Sequence, residues 1–251
     1  MQIMGIDVGG SGVKASIVET DTGEVLSERH RRPTPQPADV KAIQKTVVKT
    51  VDFFKWKGPI GVGFPAVVQN GIVRTASNID KNWIGTNVRS LFSESIGQPV
   101  YVLNDADAAG LAEMTYGAGK EKSGVVVLVT VGTGIGSSFF VDGKLFPNTE
   151  FGQFLLNGKI AEKYAADVVR KKLNLSWTKW GKRFNKYLMH LESLVWPDLI
   201  IVGGGVSKKF EKFKKTITIE TETIPALLLN NAGIIGAALA AKNYTTGGKN
   251  T

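Results

Sequence analysis

The 251 residues contain no cysteine, so disulfides and thiolate-bound metals are excluded outright. Histidine is nearly as scarce. His30 and His190 are the only two, a poor supply for a histidine-rich metal centre or a Ser-His-Asp triad. No run approaches the roughly 18 uninterrupted apolar residues of a membrane helix. The opening MQIMGIDVGG has neither the basic nor the apolar segment of a secretory leader. These absences favour a cytoplasmic protein that makes no use of a membrane. No short tandem repeat or low-complexity segment is present. Hydrophobic residues at 43% and charged residues at 21% are ordinary for a globular chain, and the length allows one large domain or two lobes.

Charge is present but uneven. The net charge of +9 is concentrated in two stretches. Residues 170–186 carry seven Lys or Arg and no acid, and residues 207–215 carry five Lys and one Glu. The rest of the chain is close to neutral. Clustered cations focus a field that attracts polyanions, although a basic run by itself is equally a solvated face.

The hydrophobic pattern alternates between strands and helices. Short apolar runs at 2–8, 13–19, 24–30, 59–64, 100–103, 124–131, 136–141, 144–146 and 198–202 predict strands. Thr22-Gly23 and Asp142-Gly143 mark hairpin turns. Ile43, Val47, Val51 and Phe54 recur at helical spacing and predict a helix over 38–56. Further helices are expected at 106–116, 158–173, 178–195 and 231–242. The pattern is α/β with a mixed sheet and two similar halves.

Four segments carry possible chemistry. Asp7-Val8-Gly9-Gly10-Ser11-Gly12, with Lys14 following, is an apolar strand ending in an acid and then a glycine turn whose amides an anion can approach. Asp7 is also suited to a hydrated divalent cation. Gly132-Thr133-Gly134-Ile135-Gly136 repeats that arrangement after another apolar strand. Gly203-Gly204-Gly205-Val206-Ser207, with Lys208 next, joins a strand to a helical segment whose N-terminus can face an anion. Asn104-Asp105 ends a strand ahead of a helix, where Asp105 can accept a hydroxyl proton or cap the helix. Read singly, each is also an ordinary turn or cap. Two glycine hairpins in one chain make coincidence a poorer account.

In this order the four segments resemble the actin, hexokinase and heat-shock ATPase superfamily and, within it, the ROK family of sugar kinases, over about residues 2–242. The resemblance implies a two-lobed actin-like ATPase (ribonuclease H-like) fold with mixed sheets and an interlobe cleft. One lobe spans 1–105 and is joined by the helix 231–242; the other spans 106–230. It implies Asp105 as general base and Asp7, Gly9, Gly10, Ser11, Gly12, Lys14, Thr133, Gly134, Gly204, Gly205 and Lys208 around the phosphate donor. Mg²⁺ would be held through water at Asp7. Phe64, Pro65, Asn78, Asp80, Asn104, Asp105, Glu150, Gln153 and Glu162 would form the sugar pocket, where carboxylates and amides pair with hydroxyls. A homodimer is also implied.

Two departures from the family pattern are informative. The cysteine-rich zinc loop of typical members is missing between Glu150 and Glu162, so no zinc is expected. The shortened form resembles the polyphosphate glucokinase branch, as do NIDKNWIGT (78–86), NDADAAGLAE (104–113) and PDLIIVGGGVSKKF (197–210). Gln153 also stands where the family has histidine, so the role of that histidine does not transfer unchanged. The resemblance implies phosphoryl transfer from inorganic polyphosphate, with ATP as a further donor, to the 6-hydroxyl of glucose, with mannose as a further acceptor. The rivals are a strictly ATP-dependent hexokinase and a non-catalytic sugar sensor. The sensor reading expects a DNA-binding segment ahead of Asp7, for which this chain leaves no room, and no specific nucleic-acid partner is expected.

Overall fold

Strands rich in Val and Ile fill the centres of two mixed sheets in the computed structural model, which describes residues 1–77 and 79–247. The chain divides into two compact units. One comprises Met1–Ala112 with the segment from Asn231 onward, and the other Glu113–Asn230.

The first unit holds β1 (Gln2–Gly9), β2 (Gly12–Glu19), β3 (Glu24–Val25), β4 (His30–Arg32), α1 (Val40–Phe54), β5 (Ile60–Phe64), β6 (Val68–Gln69), β7 (Ile72–Val73), α2 (Val88–Ile96) and β8 (Val100–Asn104). Its main sheet runs β3-β2-β1-β5-β8, with β4 also on β2. The β1–β2 pair is antiparallel, while β1, β5 and β8 are parallel. The single strand expected at 24–30 is instead two short ones. Between them the Ser27 hydroxyl accepts from the Ile17 amide at 3.0 Å, so a side chain replaces a ladder bond. Asp39 caps α1, accepting from the Ala42 amide. The unanticipated α2 is capped by Asn87 and closed by Gly97 in the left-handed region. Phe64, Trp83 and Phe92 form an aromatic cluster in this core.

The second unit holds β9 (Val125–Val131), β10 (Ile135–Val141), β11 (Lys144–Phe146), β12 (Leu155–Leu156), β13 (Lys159–Ile160), α4 (Glu162–Ala165), α5 (Asp167–Lys172), α6 (Trp177–Val195), β14 (Leu199–Gly204) and β15 (Glu222–Pro225). Its sheet runs β11-β10-β9-β14-β15. The β9–β10 pair is antiparallel, and β9, β14 and β15 are parallel. The helix expected at 158–173 is wrong in its first part. Asn157 (φ 52°) and Gly158 (φ 73°) turn the β12–β13 hairpin, and Ala166 in extended conformation separates α4 from α5. Asn-Gly is a strong hairpin signal that the helical periodicity masked.

The helix α3 (Asp105–Tyr116) contains the boundary between the units, and α7 (Ala232–Thr245) packs on the first sheet. Glycine lets α7 lie close. A methyl on Gly61 would fall 1.8 Å from the Ala237 carbonyl oxygen, and one on Gly236 would fall 1.6 Å from that of Ala108. Within the second unit the buried Glu113 carboxylate accepts from the amides of Ala118, Leu227 and Leu228. Among the described residues no helix is long and apolar enough to cross a membrane.

Candidate active site

In the first unit, the parallel register of β1, β5 and β8 brings Asp7, Phe64 and Asn104 toward one edge of the sheet. Ligands in open α/β sheets bind outside the carboxyl ends of such strands. Asn104 is 6% exposed, and its Oδ1 accepts from the amides of Ala106 at 2.8 Å and Asp107 at 3.2 Å. Asn104 is therefore the N-cap, and Asp105 is the first residue of the helix. Capping does not depend on Asp105, although its Oδ1 also accepts from the Ala106 amide. The remaining Asn104 donor is partly committed, since Nδ2 donates to the Ala66 carbonyl at 3.1 Å and anchors the loop after Pro65.

The first glycine turn is held by charges. Asp7 faces Lys14 across β1 and β2, with Lys14 Nζ 2.8 Å from Asp7 Oδ2. Gly10 and Ser11 form the turn between Gly9 and Gly12. Two side chains that the sequence reading did not single out hold its carbonyls. Arg31 Nη2 donates to the Ser11 oxygen at 2.6 Å, and the Thr34 hydroxyl donates to the Gly9 oxygen at 2.5 Å.

Asp80 caps the 3-10 turn Lys81–Trp83 and remains partly exposed. Pro65 is half-buried. Phe64 needs correction as a sugar-contacting side chain. Its ring is fully buried with its centroid 4.8 Å from that of Trp83, so it supports the loop from inside the core. Asn78 lies outside the described residues.

In the second unit, Gly132, Thr133 and Gly134 form the turn between β9 and β10. Its carbonyls are held by backbone donors: Gly134 accepts from Gly132, and Gly132 from Val168 at 3.1 Å. The adjacent parallel strand β14 ends beside it, with Gly204 in register with Val131. Gly204 has φ 74°, and a methyl there would lie 2.5 Å from the Val131 oxygen, so close approach and backbone conformation both require glycine. Gly205 and Lys208 are exposed beyond that corner, and Ser207 Oγ closes it onto the Gly204 carbonyl.

Glu150, Gln153 and Glu162 gather against the same turn. The Gln153 amide donates to the Glu150 carbonyl, and the Ile135 amide donates to Glu162 Oε2 at 3.3 Å. A methyl on Gly152 would fall 2.0 Å from the Ile135 oxygen. Burial, then the neighbouring Glu162 carboxylate, pushes the Glu150 carboxyl above the usual carboxylate range. A close carboxylate pair of this kind can accept several sugar hydroxyls.

The two basic stretches are adjacent in space. Gly181 of α6 packs against Phe213 and Thr216, with room for no methyl group, because one would meet Thr216 Oγ1 at 2.3 Å. Lys179, Lys182 and Lys186 lie on the exposed face of α6, and Lys208, Lys209, Lys212 and Lys215 are exposed beside it. Part of the first stretch is internally neutralised. Arg170 and Lys171 both contact Asp167 at 2.7 Å, just upstream of the segment that reads as acid-free. Burial raises the Asp167 carboxyl, but hydrogen bonds from Lys171 and Arg170 outweigh it and hold the group low. Trp180 is a core residue donating to the Ala165 carbonyl, and Trp177 stacks between Phe213 and Arg170.

Comparison with known proteins adds independent findings. The ROK family model matches residues 3–153. The polyphosphate glucokinase of Mycobacterium tuberculosis is 51% identical over 96% of this chain and 92% of its own length. That of Mycobacterium leprae is 48% identical over 94% of this chain and 74% of its own. The crystal structure of an inorganic polyphosphate/ATP-glucomannokinase from Arthrobacter superposes with a TM-score of 0.94 at 42% identity, covering 97% of this chain and 99% of that one.

Proposed function

The chain belongs to the ROK family, and from that premise we propose that it is a polyphosphate-dependent glucokinase. It transfers the terminal phosphoryl group of inorganic polyphosphate to the 6-hydroxyl of glucose, with ATP as a second donor and mannose as a second acceptor. The relatives' names support the donor and the sugar. The observation that carries the chemistry is Asp105. It stands at the carboxyl end of β8, one residue past a dedicated capping Asn104, on the sheet edge that holds the Gly9–Gly12 turn.

In the reaction, the glucose O6 forms a bond to the terminal phosphorus while the bridging P–O bond breaks. The proton of the hydroxyl passes to the Asp105 carboxylate, and the shortened polyphosphate leaves with the electron pair. The glycine turns offer backbone amides to the transferring group, and Lys14 offers a cation. Glu150, Glu162, Gln153, Asp80 and Asn78 orient the sugar. The exposed lysines of α6 and of 208–215 bind the donor chain, because a linear polyanion rewards an extended track of cations whereas ATP needs only a few.

A magnesium ion fits the residues present only in its hydrated mode. Among the described residues no three His, Asp or Glu side chains gather into a metal cage. Magnesium typically keeps several waters and takes one or two carboxylates plus substrate phosphates. Asp7 would hold it through water, and when bound the ion would neutralise donor charge. We place the protein in the cytoplasm as a homodimer, which light scattering tests.

A side-by-side assay of glucose 6-phosphate formation with polyphosphate and with ATP is the decisive experiment. Turnover with polyphosphate supports the reading. Turnover with ATP alone replaces it with the ATP-dependent hexokinase.

A further inference from the structure

Asp7, Lys14 and Arg31 lie in one cross-strand row, because Asp7 pairs with Lys14 and Lys14 with Arg31. Residues directly opposite in antiparallel strands project from the same face of the sheet. The 2.8 Å contact of Asp7 with Lys14 places both on that face. Gly9 and Gly12 are the next residues along it, two positions from Asp7 and Lys14. Their missing side chains are the space through which the cations reach the turn. A methyl on Gly12 would meet Arg31 Nε at 2.7 Å, and one on Gly9 would lie 3.9 Å from Lys14 Nζ.

Asp7 forms an ion pair with Lys14 at 2.8 Å, so part of the Lys14 charge is already balanced. The exposed Arg31 bonds through Nη2 to a neutral acceptor, the Ser11 carbonyl. A carbonyl oxygen turned toward a phosphate repels it, and a guanidinium holding that oxygen turns the repulsion into a charge-assisted contact while keeping further N–H donors for the anion. The geometry points to Arg31 as a donor-binding residue of the first glycine turn. It fixes the Ser11 carbonyl and presents a second cation, beside Lys14, to the terminal phosphate of the donor. This rests on the phosphoryl-transfer reading of the site, and it assigns to β4 a role that the glycine motif does not contain.

The test is steady-state kinetics of Arg31→Gln and Arg31→Lys with polyphosphate and with ATP, alongside glucose affinity from intrinsic tryptophan fluorescence and thermal melts. Arg31→Gln is expected to raise KM for both donors about tenfold, the scale of one lost charge-assisted partner. Glucose affinity is expected to stay within about twofold of the parent on the same reasoning, because the lost contact is to the donor. The salt slope of the polyphosphate KM is expected to fall by roughly 0.7, one phosphate contact on a single strand. Arg31→Lys should restore the slope but only part of the KM, because it keeps the charge and loses the planar fork. Unchanged donor KM and salt slope in Arg31→Gln would overturn the proposal, as would a parallel loss of glucose affinity. If Arg31→Gln does not fold, Arg31→Lys decides by the same two readouts: a raised donor KM with glucose affinity kept supports the proposal, and parental donor KM overturns it. A parent enzyme that uses ATP but not polyphosphate ends the polyphosphate reading alone, and the ATP arm still tests Arg31. A parent that uses neither donor ends the phosphoryl-transfer reading itself.

Discussion

The two sheets follow the same path, three successive antiparallel strands and then two parallel neighbours, yet their leading glycine turns are equipped differently. The Gly9–Gly12 turn is held by side chains: Arg31 and Thr34 take its carbonyls, and Asp7 and Lys14 pair beneath it. The Gly132–Gly134 turn is held by backbone amides, and the same unit exposes the lysines of α6 and 208–215. One topology thus supports two electrostatic designs. A few fixed charges beside a turn suit the chemistry of a single phosphate. A broad cationic surface beyond a neutral turn suits a long chain of them.

The sharpest way to break this comparison is to remove the acid on the first side. Asp105→Asn should lower kcat by about 10²–10⁴ while the melting temperature stays near that of the parent. A coupled glucose 6-phosphate assay and calorimetry check both. Next in size is a contrast between glycines of the second unit. Gly204→Ala should cost about 3 kcal/mol, since it combines positive φ with a 2.5 Å clash. Gly132→Ala, whose methyl would meet nothing within 4 Å, should cost less than about 1 kcal/mol in urea unfolding.

The cationic surface gives the third test. Replacing Lys182, Lys208 and Lys212 together by Gln should lower kcat/KM for polyphosphate by about one to two orders of magnitude at low salt, with a much smaller change for ATP. Equal losses for both donors would remove the distinction between the two turns.

The smallest effect concerns Glu150, whose carboxyl is raised by burial and by Glu162. The folded state binds that proton more tightly than the unfolded chain. Its contribution therefore favours folding below the usual carboxylate range and is lost as pH rises through the raised value. Under the proposed role of Glu150 in the sugar site, sugar binding has the opposite sign, because that role uses the ionised group. Across that window the melting temperature of the parent should decline while KM for glucose improves, and Glu150→Gln should lose both trends and show a higher, flatter KM. Melts and glucose titrations from about pH 4 to 7 bracket the window.

Much of this was legible in the residues. The glycine turns, the apolar strands before them and the acid at position 105 are local features, and local sequence carries them. Gln153 and the missing zinc loop were equally visible, because they are departures from a pattern. Other features were hidden by the way long-range contacts work. Phe64 lies in a stretch that resembles a sugar motif, but its ring is claimed by Trp83 and Phe92. The acid-free look of 170–186 was misleading, since Asp167 sits three residues before it and folds back by one helical turn. Arg31 is twenty residues from Ser11 and meets it only through the β2–β4 register. Glu113 could not be read as the acceptor for the amides of Leu227 and Leu228, more than a hundred residues away.

By itself the sequence determined the periodicity of the strands, the places where only glycine can turn, the chemical types available at each turn and the absence of thiols. These follow from backbone sterics and side-chain composition, which act over a few residues. The tertiary structure alone decided which charges neutralise one another, which aromatic rings are core, and which distant side chains hold the carbonyls of the first turn. Those outcomes depend on strand register and on which groups lose their water, and neither is a property of any local stretch of chain.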